Sequence, residues 1–418
     1  MSFDALGLCD QLLKTVARQG YTTPSPIQIE AIPAVLKQCD VMAVAHTGTG
    51  KTAGFTLPVL QLLSDGPSPE SKGIRALIIT PTRELAAQVA QSVLSYSADM
   101  NIRSAAVYGG VRIEYQISQL EAGLDVLVAT PGRLVDLYNQ GAINFDQLEI
   151  LVLDEADRML DLGFIDDIRH IQTLLPAKRQ TLMFSATFSK EIKSLAKGML
   201  NDPTLIEVTA ANSTVDTVKQ KIHPVDKALK TEVLIHLIKR NKWQQVLVFS
   251  KTKRGADELV IELERASISA ESIHSNRTQH ARTRALDGFK DGSIAVLVAT
   301  DIASRGIDVS ELRCVINYEL PYVAEDYVHR IGRTGRASTS GLAVSLFSEE
   351  EHKQLKAIER LIGRKFDREV IKGFEPSVKG LAHPSDDEEY GNFEADVNPK
   401  GKGRRRGRGG NSSTRHRR

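Results

Sequence analysis

The segment AHTGTGKT (45–52) follows the apolar stretch VMAVA (41–45) and precedes a second one, GFTLPVLQLL. Glycines at 48 and 50 let the backbone N–H groups from Thr47 through Gly48, Thr49 and Gly50 wrap a phosphate, and the helix that follows turns its positive end to the same anion. Lys51 then reaches the β- and γ-phosphates of a nucleotide, and the Thr52 hydroxyl is placed to coordinate Mg²⁺. A Gly-rich turn alone is a weak signal. One that ends in Gly-Lys-Thr between strand and helix is specific. His46, in the same loop, reads as a packed or loop-capping histidine. Further along, ILVLDEADRML (150–160) ends an apolar strand on two adjacent carboxylates. An Asp at the carboxyl edge of a strand, facing a phosphate loop, is the expected metal partner. Mg²⁺ keeps most of its waters, so Asp154 is expected to hold it through water. Glu155 is then placed to orient or deprotonate the attacking water. Standing alone, the pair would be a charged strand end; the upstream loop makes it chemical.

Short β-rich segments must position these groups. VMAVA (41–45), ALIIT (76–80), VLVAT (126–130), ILVLD (150–154) and TLMFS (181–185) alternate with longer amphipathic stretches. A second series follows: QVLVFS (245–250), IAVLVAT (294–300), CVINY (314–318) and GLAVSLF (341–347). Continuous apolar strands alternating with helices imply a mostly parallel sheet covered on both faces. The small, polar stretch TAANSTVDT (209–217) reads as a linker between two such α/β domains, 1–208 and 218–372. From 373 to 418 the pattern dissolves into an acidic stretch and then GKGRRRGRGGNSSTRHRR (401–418). This tail cannot bury enough apolar surface to offset its ordering entropy, so disorder is expected.

The 418 residues suit two domains, and 41% hydrophobic with 25% charged is an ordinary globular balance. The net charge of +2 hides an asymmetry: Lys400 to Arg418 carries nine Lys/Arg and no Asp/Glu, leaving 45 basic and 52 acidic side chains elsewhere. A basic arm on a mildly acidic body is expected to seek a polyanion. No apolar run approaches the roughly 18 residues that span a bilayer, and no secretory signal is visible at the start. Cys9, Cys39 and Cys314 are spread too widely to pair at a metal, so a reducing cytoplasm is expected.

Asp154-Glu155-Ala156-Asp157 spells DEAD, and the chain closely resembles the DEAD-box ATP-dependent RNA helicases of superfamily 2 over roughly residues 3–340. Its sequence texture is similar to the bacterial RhlE-like branch. The resemblance implies two tandem RecA-like domains that use ATP and Mg²⁺ to remodel RNA. Gly20-Tyr21, Pro24 and Pro26-Ile27-Gln28 match the family's adenine-reading segment. Gln28 is then expected to read the adenine edge, with Tyr21 beside it and Phe3 stacked on the base. PTRELAAQ (81–88), Gly109-Gly110 and TPGR (130–133) match RNA-facing motifs, which implies backbone contacts from Thr82, Arg83, Gly110, Thr130 and Arg133. Ser185-Ala186-Thr187 matches the motif that couples ATP to unwinding, with hydroxyls that can bond Asp157.

In the second half, ATDIASRGID (299–308) and HRIGRTGR (329–336) match closely. By resemblance Arg333 and Arg336 are arginine fingers for the γ-phosphate, Asp308 meets the ribose, and His329 joins the hydrogen bonds near Asp157. The glycines between the arginines suggest close backbone approach to a ligand. Thr300 and Arg282 are expected on RNA. The chain departs from the family where the usual His-Gly-Asp reads His274-Ser275-Asn276, although Gln279 and Arg282 of the next element remain. The resemblance implies local unwinding of short RNA duplexes through closure of the two domains, with an RNA partner, a monomeric core, and ribosome-assembly or RNA-decay proteins as fitting associates. Two alternatives stay open: a non-catalytic RNA-binding scaffold, and a DNA translocase of the same architecture.

Overall fold

The computed structural model describes residues 2–45, 48–64, 66, 72–208, 218–304, 309, 312–335 and 341–377. Among these, two sheets form, and every strand pair in both is parallel. The first contains β1 (Val41–Val44), β2 (Ile74–Ile79), β3 (Ser104–Val107), β4 (Leu124–Ala129), β5 (Ile150–Leu153), β6 (Gln180–Ser185) and β7 (Thr204–Glu207), in the order β3-β4-β2-β5-β6-β1-β7. The second contains β8 (Val218–Pro224), β9 (Val246–Phe249), β10 (Ala270–Ile273), β11 (Val296–Ala299), β12 (Cys314–Asn317) and β13 (Gly341–Phe347), in the order β10-β11-β9-β12-β13-β8. The linker at 209–217 and the chain beyond Ser377 lie outside the described residues.

Helices cover both faces because successive strand residues point opposite ways. Val41 and Ala43 pack into one core with Phe55 of the helix Lys51–Ser64, while Met42 and Val44 pack into the other with Leu134 and Ile192. The Phe55 and Phe184 rings meet at 5.1 Å and seat that helix on the sheet. In domain two, Val246 and Val248 face one core and Leu247 and Phe249 the other. Domain two runs slightly past the expected boundary: Phe374 packs on His236, and the Ser377 backbone N–H donates to Asp226 at 3.1 Å.

This order determines where the chemistry lies. β6 sits between β1 and β5, with Val44 level with Ser185 and Leu153 level with Met183. The loop after β1 and the acids after β5 therefore emerge at one edge, two strand spacings or roughly 10 Å apart. An opening at the carboxyl ends of a parallel sheet is where this architecture takes ligands.

Candidate functional site

Gly48 and Gly50 both adopt left-handed backbone, at φ +83° and +88°. At Gly50 the reason is steric as well, since a Cβ there would fall 2.5 Å from the Gln28 amide nitrogen. That amide holds the loop. Its Nε2 donates to the Gly50 carbonyl at 3.1 Å, and its Oε1 accepts from the Ser25 N–H at 2.9 Å, closing a capping box on the helix Pro26–Leu36. Gln28 thus ties the start of the helix Pro26–Leu36 to the glycine loop after β1. One N–H and one lone pair of the amide stay over for a base edge. Phe3 is buried in the domain-one core at 5% exposure, so its ring is a packing element first. Tyr21 is exposed, with its hydroxyl 3.3 Å from that of Tyr96.

Lys51 opens the helix after the loop and is only 6% exposed, yet its ammonium has no hydrogen-bond partner. A buried cation without an acceptor is costly unless an anion joins it. Asp154 lies across from it at 3% exposure, and burial pushes its carboxyl up to about 7 against the opposing pull of Lys51. One Asp154 oxygen accepts the Glu155 N–H at 3.0 Å. An isolated buried lysine and a carboxylate destabilised by burial fit a triphosphate and a hard divalent cation, with Thr52 adding a hydroxyl oxygen. Glu155 is held at φ +53°, a left-handed conformation that a side-chain-bearing residue rarely adopts. Such strain is common where geometry serves chemistry.

Asp157 is the hinge of the site. One carboxylate oxygen accepts the Arg158 N–H and the other accepts the Ala186 N–H, each at 3.0 Å. The expected link to Ser185 and Thr187 is thus made by the backbone amide between them, not by their hydroxyls. The Ser185 hydroxyl instead accepts the Thr187 N–H at 3.3 Å.

Domain two closes over this cleft. His329 is neutral: burial pushes it down to about 4, opposed by Asp157 and reinforced by Arg333, Lys51 and Arg158. These groups belong to both domains, so the elements after β1, β5 and β12 share one electrostatic environment. The three arginines of HRIGRTGR separate here. Arg330 is structural: it pairs with both oxygens of Asp301 at 2.6 and 2.8 Å, donates to Asn317 and the Glu319 carbonyl, and lies over Phe249. Arg333 is buried beside His329. Arg336, like Thr47 and Asp308, lies outside the described residues. Gly335 at φ +70° approaches Val218 and Gly341, where a Cβ would meet both.

On the neighbouring surface, Arg83 lies against Gly109 and Gly110, where a Cβ on Gly110 would overlap its guanidinium. Thr82 caps its helix by accepting the Leu85 N–H at 3.3 Å. Thr130 caps the helix Pro131–Asn139 by position, without a side-chain bond. Arg133, expected on RNA, donates to Gln116 at 2.7 Å and to the Val111 carbonyl at 3.1 Å, bracing the Gly109-Gly110 turn. Arg282 was also expected on RNA. Its guanidinium pairs with Glu84 of domain one at 2.8 Å, and Gln279 donates to the other Glu84 oxygen at 3.1 Å. Thr300 is buried at the end of β11. Ser275 and Asn276 are exposed, and Asn276 accepts from Lys253 at 2.9 Å, so the departure from His-Gly-Asp lies on the surface. Glu84 was not singled out from the sequence. A glutamate in a helix's first turn reads as a partner of the helix dipole, and nothing local reveals that it crosses between domains.

Two family models match in tandem: DEAD/DEAH box helicase over residues 25–195, and helicase conserved C-terminal domain over residues 229–338. The chain is 41% identical over 374 residues to the ATP-dependent RNA helicase RhlB of Pseudomonas syringae pv. tomato, covering 88% of this chain and 94% of that one. It is 40% identical over 368 residues to the DEAD-box ATP-dependent RNA helicase CshA of Bacillus subtilis, covering 88% and 74%. Among solved structures, S. cerevisiae Dbp5 bound to RNA and ADP BeF3 matches with a TM-score of 0.77 at 30% identity, covering 88% of this chain and 95% of that one. A DEAD box protein from Methanococcus jannaschii matches at 0.51 and 39% identity, covering 89% and 99%.

Proposed function

Because the chain belongs to the DEAD-box family of ATP-dependent RNA helicases, we propose that its two domains act as a clamp that closes on ATP and RNA together. RNA-dependent ATP hydrolysis is the family's activity, and ATP with Mg²⁺ is what it uses. The clamp reading goes further. Closure pries apart a short duplex locally, and reopening releases the strand.

The observation that carries this reading is the buried ion pair between Glu84 of domain one and Arg282 of domain two, which exists only when the domains are together. The better overall match to the RNA-bound yeast protein than to the more identical archaeal one supports it, since a different domain orientation lowers such a score without altering either domain.

Each residue's work follows from its place. The loop amides and Lys51 hold the phosphates; Thr52, and Asp154 through water, would hold Mg²⁺, which would supply charge neutralisation beside the phosphates. Glu155 orients water for in-line attack. Arg333, with Arg336, brings positive charge from the opposite domain, so the site is complete only in the closed form. His329 stays neutral and bridges toward Asp157. Asp157 holds the Ala186 amide and so links the state of the cleft to β6. Because RNA and ATP both favour closure, each raises the other's affinity.

We place the protein in the cytoplasm with a monomeric core, consistent with three unpaired cysteines, and in ribosome assembly or RNA decay. No helix among the described residues is long and apolar enough to cross a membrane. The RhlE-like placement rests on sequence texture, and the basic tail adds affinity for phosphates without base specificity. Phosphate release in the presence of RNA, and of DNA of equal sequence, tests the function. Stimulation by RNA with unwinding of a short RNA duplex supports it. Equal stimulation by DNA, or release without RNA dependence, contradicts it.

A further inference from the structure

A cavity of about 690 Å³ opens at the amino-terminal edge of the domain-two sheet. Lys242, Trp243 and Gln245 line it just before β9, Arg313 just before β12, and Phe289 and Lys290 from the end of the helix Gln279–Lys290. Ser250 and Thr300 lie beyond the other ends of β9 and β11, a strand length of roughly 13 Å away, while Leu312 of the lining donates its N–H to the Arg333 carbonyl at 3.2 Å.

The lining has one chemical character. Three cations and an indole meet there with no carboxylate among the described lining residues. Lys242 and Lys290 stand at helix C-termini, where the dipole favours a cation, and that accounts for two of the charges. It does not account for Arg313, which precedes a strand. Nor does it account for the backbone: Lys242 and Gln245 are both left-handed, at φ +50° and +54°, within one four-residue connection. A glycine is the ordinary occupant of the first of these positions, just past a helix end. The Gln245 amide donates to the carbonyls of Phe289 and Lys290, each at 3.1 Å, and so fixes one wall to the next. Trp243 is half-buried against the domain-two core and completes the lining.

We propose that this cavity is a second seat for single-stranded RNA, with phosphates on Lys242 and Arg313 and a base against Trp243. Cations that track a backbone beside an aromatic platform hold single strands without reading sequence. A grip outside the cleft would hold the strand flanking the duplex during opening. The proposal rests on RNA being the substrate, but it can fail while the clamp stands, because the readout below is local to this cavity.

Trp243 is the only tryptophan in the chain, so indole emission reports this cavity directly. The full chain, without nucleotide so that closure does not contribute, is titrated with an oligouridine RNA of roughly ten nucleotides. RNA is expected to quench Trp243 saturably, and AMP at equal nucleotide concentration far more weakly. The double substitution Lys242→Gln/Arg313→Gln should weaken the quenching affinity about fivefold or more. It should also flatten the log–log salt dependence by about 1.4, the value for two phosphate contacts on a single strand. Lys242→Gly relieves a left-handed lysine, so it should weaken RNA binding without lowering the unfolding temperature, and it decides the matter if the double variant folds poorly. Absence of quenching by RNA, quenching unchanged in these variants, or AMP binding as tightly as RNA overturns the proposal.

Discussion

The Glu84 carboxylate is shared across the domain boundary, taking the Arg282 guanidinium at 2.8 Å on one oxygen and the Gln279 amide at 3.1 Å on the other. Both charged side chains are below 10% exposed, at 9% for Arg282 and 7% for Glu84. Removing one partner strands the other charge, which costs about 3–5 kcal/mol for a fully buried pair. Arg282→Met should therefore raise the RNA concentration for half-maximal ATPase by about 30-fold or more while leaving each domain folded. Glu84→Gln should do the same, and the double variant should lose less than the two added together. Additive losses would mean that the pair does not hold the closed form.

Lys51 offers a test in which stability and activity move in opposite directions. Its ammonium is buried without a partner, so Lys51→Met should leave the nucleotide-free protein at least as stable to heat as the wild type. The same change should abolish ATP hydrolysis. A variant that is less stable and still hydrolyses ATP would show that the lysine's task is structural.

Glu155 and Arg333 separate clamping from turnover. Glu155→Gln should still hold RNA with ATP but turn over poorly, visible as slow RNA release in a filter-binding chase. Arg333→Ala should cost about 10³-fold in kcat, the scale of an arginine finger. An unchanged kcat in either variant removes the role assigned to that residue.

The pH response follows from His329, whose ordinary value of 6.5 falls to about 4 in the closed cleft. With the ordinary value taken for the open form, that form takes up a proton between these values that the closed form refuses. Closure thus weakens as pH falls from 6.5 toward 4, by at most about tenfold per pH unit, and is insensitive to this group above that range. Half-saturating RNA measured at saturating Mg²⁺ should rise on acidification in the wild type and rise less in His329→Gln. Equal acid sensitivity in the two would exclude the histidine as its source.

The sequence was legible where strands are buried on both faces and silent at the sheet edges. All nine expected strands are present, from β1, β2, β4, β5 and β6 to β9, β11, β12 and β13. The four that were not expected are β3, β7, β8 and β10, and each is an edge strand of its sheet. In domain one the edge strands are poorly covered, with one buried residue in four in both β3 and β7, so neither carries a long buried apolar run. In the site, the phosphate loop around Lys51 and the acids Asp154 and Glu155 stood out by residue type and their place after apolar strands, and Asp157 stood out through the family resemblance. The partners of Arg133, Arg282 and Arg330 did not. A guanidinium that braces a turn, pairs across two domains or holds Asp301 has the same letter in the sequence, and only tertiary neighbours reveal its partner.

Closure is tested most directly by distance. Dyes placed at exposed Ser118 of domain one and Glu264 of domain two report the separation of the halves by energy transfer. The transfer efficiency should change to a single new value when RNA and a non-hydrolysable ATP analogue are both present, and return when either is removed. In Arg282→Met that value should need far more RNA to reach. Efficiency that stays the same with both ligands saturating would contradict the clamp.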